Sequence, residues 1–277
     1  MKLLKHLICL LFYFTTSFAL GQDAQAPQAD SQELHNNLLV AVAWKQTAAE
    51  YRALYYQGFN LARMRVELAL ANHTSASKPL AVVTDVDETL LLASDYWGYL
   101  INQGQDFFDD PSWDRWLPEN RAVASPGALE FLRFCESNNV EVFYVTNRNQ
   151  GDATYQIAVA NLQAWDFPYV DQQHLTVLRE SSNKETVQQR IMQDYEVVVF
   201  LGDNLNDFRR KYYRSSVEQR LSLMQEDRER YGRDFILFPN PTDGHWIRAI
   251  FGDSEPPPSD RNRQVLKDAA TREAWTP

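Results

Sequence analysis

Five short apolar runs separated by helix-like segments constrain this chain most. The runs are Leu80–Val83, Val140–Val145, Leu175–Leu178, Val197–Leu201 and Phe235–Phe238. Stretches with helical spacing lie at 126–138, 152–164, 184–194 and 205–231. Apolar runs this short read as strands buried on both faces. Strand and helix in alternation predict an α/β fold with a doubly wound, mainly parallel sheet. Open sheets of that kind bind ligands outside the C-terminal ends of their strands. Chemistry is therefore expected in the residues that follow each run.

The flanking segments set the domain plan. Met1 to Gly21 carries Lys2 and Lys5, an apolar stretch from Leu7 to Phe14, and Ala19-Leu20-Gly21. This is the pattern of a cleaved secretory signal, and its apolar stretch is too short to span a bilayer. Cys9 sits inside that stretch rather than at its end, so no lipid anchor is expected. Residues 22–31 read as a flexible start. Residues 32–75 read as one long helix, or two broken near Gly58, carrying Leu38, Val42, Tyr51, Tyr55 and Phe59 at helical spacing. The whole of 32–252 is taken as one domain, with 253–277 as a C-terminal tail opened by Pro256-Pro257-Pro258.

Of the 277 residues, about 255 remain once the leader is removed, and the net charge goes from -10 to -12 with the loss of two lysines. So acidic a chain is not drawn to a nucleic acid polymer or an anionic membrane. Cys135 is then the sole cysteine, which excludes an intramolecular disulfide and suits a small core residue. The five histidines show no ligand spacing, so zinc is not expected. Export and the missing disulfide together point to a periplasmic or secreted protein.

Three strand tips are polar. The first is Asp85-Val86-Asp87, the second Thr146-Asn147-Arg148, and the fourth Gly202-Asp203-Asn204 with Asp207 four residues past Asp203. Lys184 opens the helix before that fourth strand. Carboxylates paired at a buried tip repel, so a cation is expected among them. Singly, each of these residues has an ordinary role as a helix cap, a strand end or a solvated charge.

In this order the motifs resemble the haloacid dehalogenase-like phosphohydrolases, and within them the class C bacterial acid phosphatases, which include lipoprotein e-type 5′-nucleotidases. The resemblance is carried by Ala81 to Thr89, Phe143 to Arg148 and Gly202 to Phe208, with Ala41 to Trp44 and Pro239-Asn240 in support. It implies a Rossmann-type sheet with a small helical and aromatic cap, here about 95–123. It implies Asp85 as nucleophile and Asp87 as acid and base. Phosphate would be held by Thr146, Asn147 and Lys184. Mg²⁺ would be bound by Asp85, by Asp87 through its carbonyl, and by Asp203. Asp207 would orient a metal-bound water or Lys184.

The implied activity is a Mg²⁺-dependent acid phosphatase acting on small phosphomonoesters, nucleoside 5′-monophosphates among the candidates. A phosphotransferase using the same intermediate, and a non-catalytic storage or binding protein on the same fold, are the alternatives. An oligomer is compatible with the sequence. Tyr96, Trp113, Trp116 and Trp246 are candidates for the face that receives the leaving group, or else form the cap's own core. Arg148 either touches substrate or pairs with a surface acid. The run Arg209-Arg210-Lys211 with Arg214 reads as a solvated face.

Overall fold

The computed structural model describes residues 36–275. The leader at 1–21 and the start at 22–31 lie outside the described residues. Along the chain the elements are α1 (Leu39–Thr47), α2 (Ala49–Asn72), β1 (Leu80–Thr84), β2 (Leu91–Leu92), α3 (Ser94–Asn102), α4 (Asp110–Trp116), β3 (Val123–Ala124), α5 (Ala128–Ser137) and β4 (Glu141–Asn147). There follow α6 (Thr154–Gln163), β5 (Leu175–Leu178), α7 (Lys184–Asp194), β6 (Glu196–Gly202), α8 (Val217–Glu226), β7 (Phe235–Leu237), α9 (His245–Phe251) and α10 (Asp260–Ala270). Among the described residues no helix is long and apolar enough to cross a membrane.

Five strands form one sheet in the order β5-β4-β1-β6-β7, every pair parallel. The five are the five apolar runs of the sequence. β1 is buried along its whole length at the centre of the sheet. Its side chains alternate between two cores, as the two-residue period of a strand requires. Leu80 and Val82 join Tyr55, Phe59, Phe131 and Leu132 on the face covered by α2 and α5. Ala81 and Val83 join Val187, Ile191 and Phe208 on the face covered by α7. The Asp85 N–H donates to the Leu201 carbonyl at 2.9 Å, which extends the β1–β6 ladder past the end of β1. That bond brings Asp85 level with Gly202 and Asp203.

The structure differs from the sequence reading at three places. The N-terminal helix breaks at Ala48, which is extended (φ −79°, ψ 125°), and not at Gly58. Gly58 continues α2 because Phe238 packs directly on it. A Cβ there would lie 2.5 Å from the Phe238 ring. The stretch 205–231 is not one helix but two 3₁₀ turns, α8 and a third 3₁₀ turn. Asn204 is the reason at its start, since it caps the first turn and Asp207 bonds back to it, so the backbone is satisfied locally. Ser216 then caps α8 separately by accepting from the Gln219 N–H. The cap segment holds α3 and α4 over the β2–β3 ribbon, helices of nine and seven residues. The tail is ordered beyond its prolines, where Ser259 caps α10.

Candidate active site

Three loops bring the site together at the C-terminal ends of β1, β4 and β6. Asp85 follows β1 and is 7% exposed. Lys184, the first residue of α7, puts its Nζ 2.5 Å from Asp85 Oδ1 and 2.7 Å from Asp207 Oδ1. The other Asp207 oxygen accepts from the Asn204 N–H at 2.9 Å. Asp207 can reach this position because residue 202 is glycine. A Cβ at Gly202 would lie 2.5 Å from both Asp207 Cβ and Oδ2. Asp203 accepts from Asn240 Nδ2 at 2.7 Å and from the Thr89 hydroxyl at 3.3 Å.

Asp85, Asp203 and Asp207 each offer a carboxylate oxygen, all within 4.8 Å of one another. Lys184 is the ammonium bonded to two of them. Burial, with Asp207 and Asp87 opposing the help of Lys184, pushes the Asp85 carboxyl up to about 7. Burial and the charges of Asp207 and Asp85 hold Asp203 well above the usual carboxylate range. Burial would lower Lys184, but Asp207 and Asp85 outweigh it and raise its pKa. Such a group of hard oxygens short of positive charge fits a small divalent cation.

Asp87 points the other way. Its carboxylate accepts two bonds from Arg148, Nε at 2.8 Å and Nη2 at 2.7 Å, and a third from the Thr146 hydroxyl at 3.2 Å. The side chain therefore stands apart from the three clustered carboxylates, and its backbone carbonyl is what it has left for a cation. Arg148 is buried, and its Nη1 donates to Asn161 Oδ1 at 2.8 Å. Asn161 in turn donates to the Leu117 carbonyl and to Asn120 at the base of the cap. Of the two roles open to Arg148 in the sequence, the structure thus shows an ion pair, but with Asp87 and not with a surface acid. Asn147 spends its amide on the Ser181 carbonyl at 2.8 Å.

These groups line a cavity of about 560 Å³. Trp97, Phe108 and Trp113 of the cap face into it, as do Asp110, Asp243, His245 and Glu255. The aromatic expectations divide. Trp113 lines the cavity, whereas Tyr96 and Trp116 pack with it inside the cap, Tyr96 fully buried and Trp116 stacked on Trp113 at 5.0 Å. Trp246 borders a different groove, with Leu54, Leu221 and Leu237, and is absent from the lining of the catalytic cavity. Its neighbour Gly244 turns the chain so that His245 faces the site and Trp246 does not.

The sequence reading passed over Glu88, which follows Asp87 with φ 58°. Its carboxylate binds the buried Lys45 at 2.6 Å and the Trp97 indole at 2.8 Å, and its carbonyl accepts from Tyr55 at 2.5 Å. One residue thereby ties the loop after β1 to α1, α2 and the cap. A lysine on an otherwise apolar helix was the available signal, because buried ammonium groups need a partner.

A carboxylate-tipped, doubly wound sheet with a lysine between its Thr146 and Asp203 motifs is the scaffold of the haloacid dehalogenase-like phosphohydrolases. The sequence model described as HAD superfamily, subfamily IIIB (acid phosphatase) matches residues 8–246. The class C acid phosphatase from Bacillus anthracis is similar over most of the chain. Its tungstate-bound crystal structure shares 31% identity at a TM-score of 0.77, covering 88% of this chain and 99% of that one. A second structure of it shares 32% identity at a TM-score of 0.76, covering 85% and 97%. The chain belongs to the subfamily IIIB acid phosphatases and is a phosphomonoesterase.

Proposed function

We propose that this phosphatase cleaves small phosphomonoesters, nucleoside 5′-monophosphates among them, through a phosphorylated Asp85, with Mg²⁺ at the clustered carboxylates and outside the cytoplasm. The observation that carries the reading is the packing of Asp85, Asp203 and Asp207 around Lys184. The tungstate-bound relative supports it, since tungstate is a tetrahedral oxyanion like phosphate. Phosphate esters hydrolyse so slowly uncatalysed that the site must remove ~20 kcal/mol or more of barrier.

The residues divide the work. The Asp85 carboxylate attacks phosphorus, forming the Asp85–phosphate bond as the ester bond breaks. Asp87, aimed by Arg148, gives a proton to the departing alkoxide. Asp87 then takes a proton from a water that attacks phosphorus, the Asp85–phosphate bond breaks, and inorganic phosphate leaves. Lys184 offsets the charge gathered around the phosphoryl group, and Asp207 fixes Lys184. Thr146 holds Asp87 at the edge of the phosphate position. Asp85, Asp203 and the Asp87 carbonyl would hold Mg²⁺, which when bound supplies the positive charge that lets an anionic nucleophile meet an anionic phosphate.

Turnover of p-nitrophenyl phosphate at acidic pH tests this. We expect activity that EDTA abolishes and Mg²⁺ restores. No turnover with Mg²⁺ present, or turnover indifferent to EDTA, refutes the reading.

A further inference from the structure

The segment after α9 reaches back to the catalytic cavity. Ser254 and Glu255 line it together with Asp85. The match to the family's sequence model stops at residue 246, before this segment. The segment is anchored on both sides of the point where it meets the cavity. Before it, the Phe251 ring packs on Phe107 at 5.1 Å. After it, Arg263 of α10 pairs at 2.8 Å with Asp106, which is buried and also accepts the Asn37 N–H. Pro256 is buried between these anchors. Glu255 is thereby held at the rim as a fixed part of the wall.

The wall it joins has a distinct chemistry. Opposite the phosphate-holding floor stand the aromatic faces of Phe108 and Trp113. Around them are Asp110 and Asp114 of α4, Asp243 of the loop before α9, and Glu255. Asp243 caps the Gly244 N–H at 2.6 Å, and Gln150 donates to Asp114 at 2.8 Å, so two of the carboxylates are oriented. Carboxylates beside aromatic faces attract cations, by Coulomb force and through the ring quadrupole.

We infer that the C-terminal segment is part of the leaving-group site, and that Glu255 with Asp110 makes the enzyme select phosphomonoesters whose alcohol carries an ammonium group over those whose alcohol carries a carboxylate. This rests on the phosphatase reading above and deepens it. The anionic phosphate binds on the floor at Lys184, and the cationic end of the same molecule lies against Phe108, Trp113 and the rim carboxylates. An anionic leaving group meets repulsion at the same place. The selection depends on pH. Glu255 is exposed at the rim, and the partial burial of its carboxyl, with the charges of Asp110 of α4, Asp243 of the loop before α9 and Asp253 of its own segment, pushes it up to about 7. Protonated in acid, Glu255 contributes no charge, so selectivity rises with pH.

The test compares kcat/KM for 2-aminoethyl phosphate and for 2-phosphoglycolate, with p-nitrophenyl phosphate as control, in the full chain and in Glu255→Gln and Asp110→Asn. Dividing the ratio in each variant by that in the parent cancels the intrinsic reactivity of the esters. At pH 7.5 the ammonium-to-carboxylate ratio should fall about threefold in each variant, the scale of an exposed charge contact. In the parent the ratio should rise between pH 5 and pH 8, and in Glu255→Gln it should rise less. An unchanged ratio in both variants, with the parent hydrolysing p-nitrophenyl phosphate, overturns this inference alone. Loss of all turnover in the parent overturns it together with the phosphatase reading.

Discussion

Replacing Lys184 by Met tests the electrostatics of the site without touching a nucleophile. The substitution removes an ammonium 2.5 Å from Asp85 and 2.7 Å from Asp207, both buried. Stranding buried carboxylates costs about 3–5 kcal/mol. The protein can escape part of that by taking up protons, and how cheaply it does so depends on pH. Protonating a carboxylate costs about 1.4 kcal/mol for each pH unit above its usual range. Moving from pH 5 to pH 7.5 therefore adds about 3.4 kcal/mol for each carboxylate forced to hold a proton. The sign is fixed by linkage. The folded variant binds more protons than its unfolded chain across this interval, so its stability falls as pH rises. The parent already has a slope of the same sign, because its Asp85 titrates at about 7 and its Asp203 is held well above the usual range, so the difference between variant and parent reports the one additional proton taken up when Lys184 no longer pairs its carboxylates. Urea unfolding of parent and variant in EDTA at the two pH values measures the difference. We expect the destabilisation to be larger at pH 7.5 by about 2–3 kcal/mol. Equal destabilisation at both values would show that Lys184 is not compensating these carboxylates.

Two further substitutions probe the supports of the site. Gly202→Ala should destabilise the fold by about 1–3 kcal/mol, because the new methyl meets Asp207 at 2.5 Å. Turnover should fall with it as Asp207 releases Lys184, and denaturation beside kcat checks both. Arg148→Met removes the two bonds that aim Asp87. It should lower kcat for alkyl phosphates about 10²-fold with KM little altered. The loss should be smaller for p-nitrophenyl phosphate, since that leaving group departs without a proton; an equal loss for both substrates would remove Arg148 from acid catalysis.

The sheet and its order of motifs were legible because buried parallel strands are continuous apolar runs, and ligands gather at their tips. Asp85 and Asp203 could be brought together on that rule alone, although they are far apart in the chain, whereas Lys184, which opens a helix, joined them only through the family resemblance. Tertiary packing decided what the pattern left open. Gly58 reads as a helix breaker but serves a close approach to Phe238, while the break falls at Ala48, which has no breaker in its sequence. The stretch 205–231 has helical spacing, yet Asn204, Asp207 and Ser216 satisfy the backbone locally and divide it. Side-chain direction was also hidden. Adjacent His245 and Trp246 face different grooves, and the Asp87 carboxylate turns from its neighbours to Arg148. The role of Glu88 needs Lys45, more than forty residues earlier in the chain, and only the fold shows that they meet.

The central claim is that Asp85 carries the phosphoryl group. Borohydride reduction during steady-state turnover converts an acyl phosphate to the corresponding alcohol, so phosphorylated Asp85 would become homoserine. Peptide mass spectrometry should find homoserine at position 85, dependent on substrate and absent from Asp85→Asn. Reduction at another carboxylate, or none while turnover proceeds, would contradict the account.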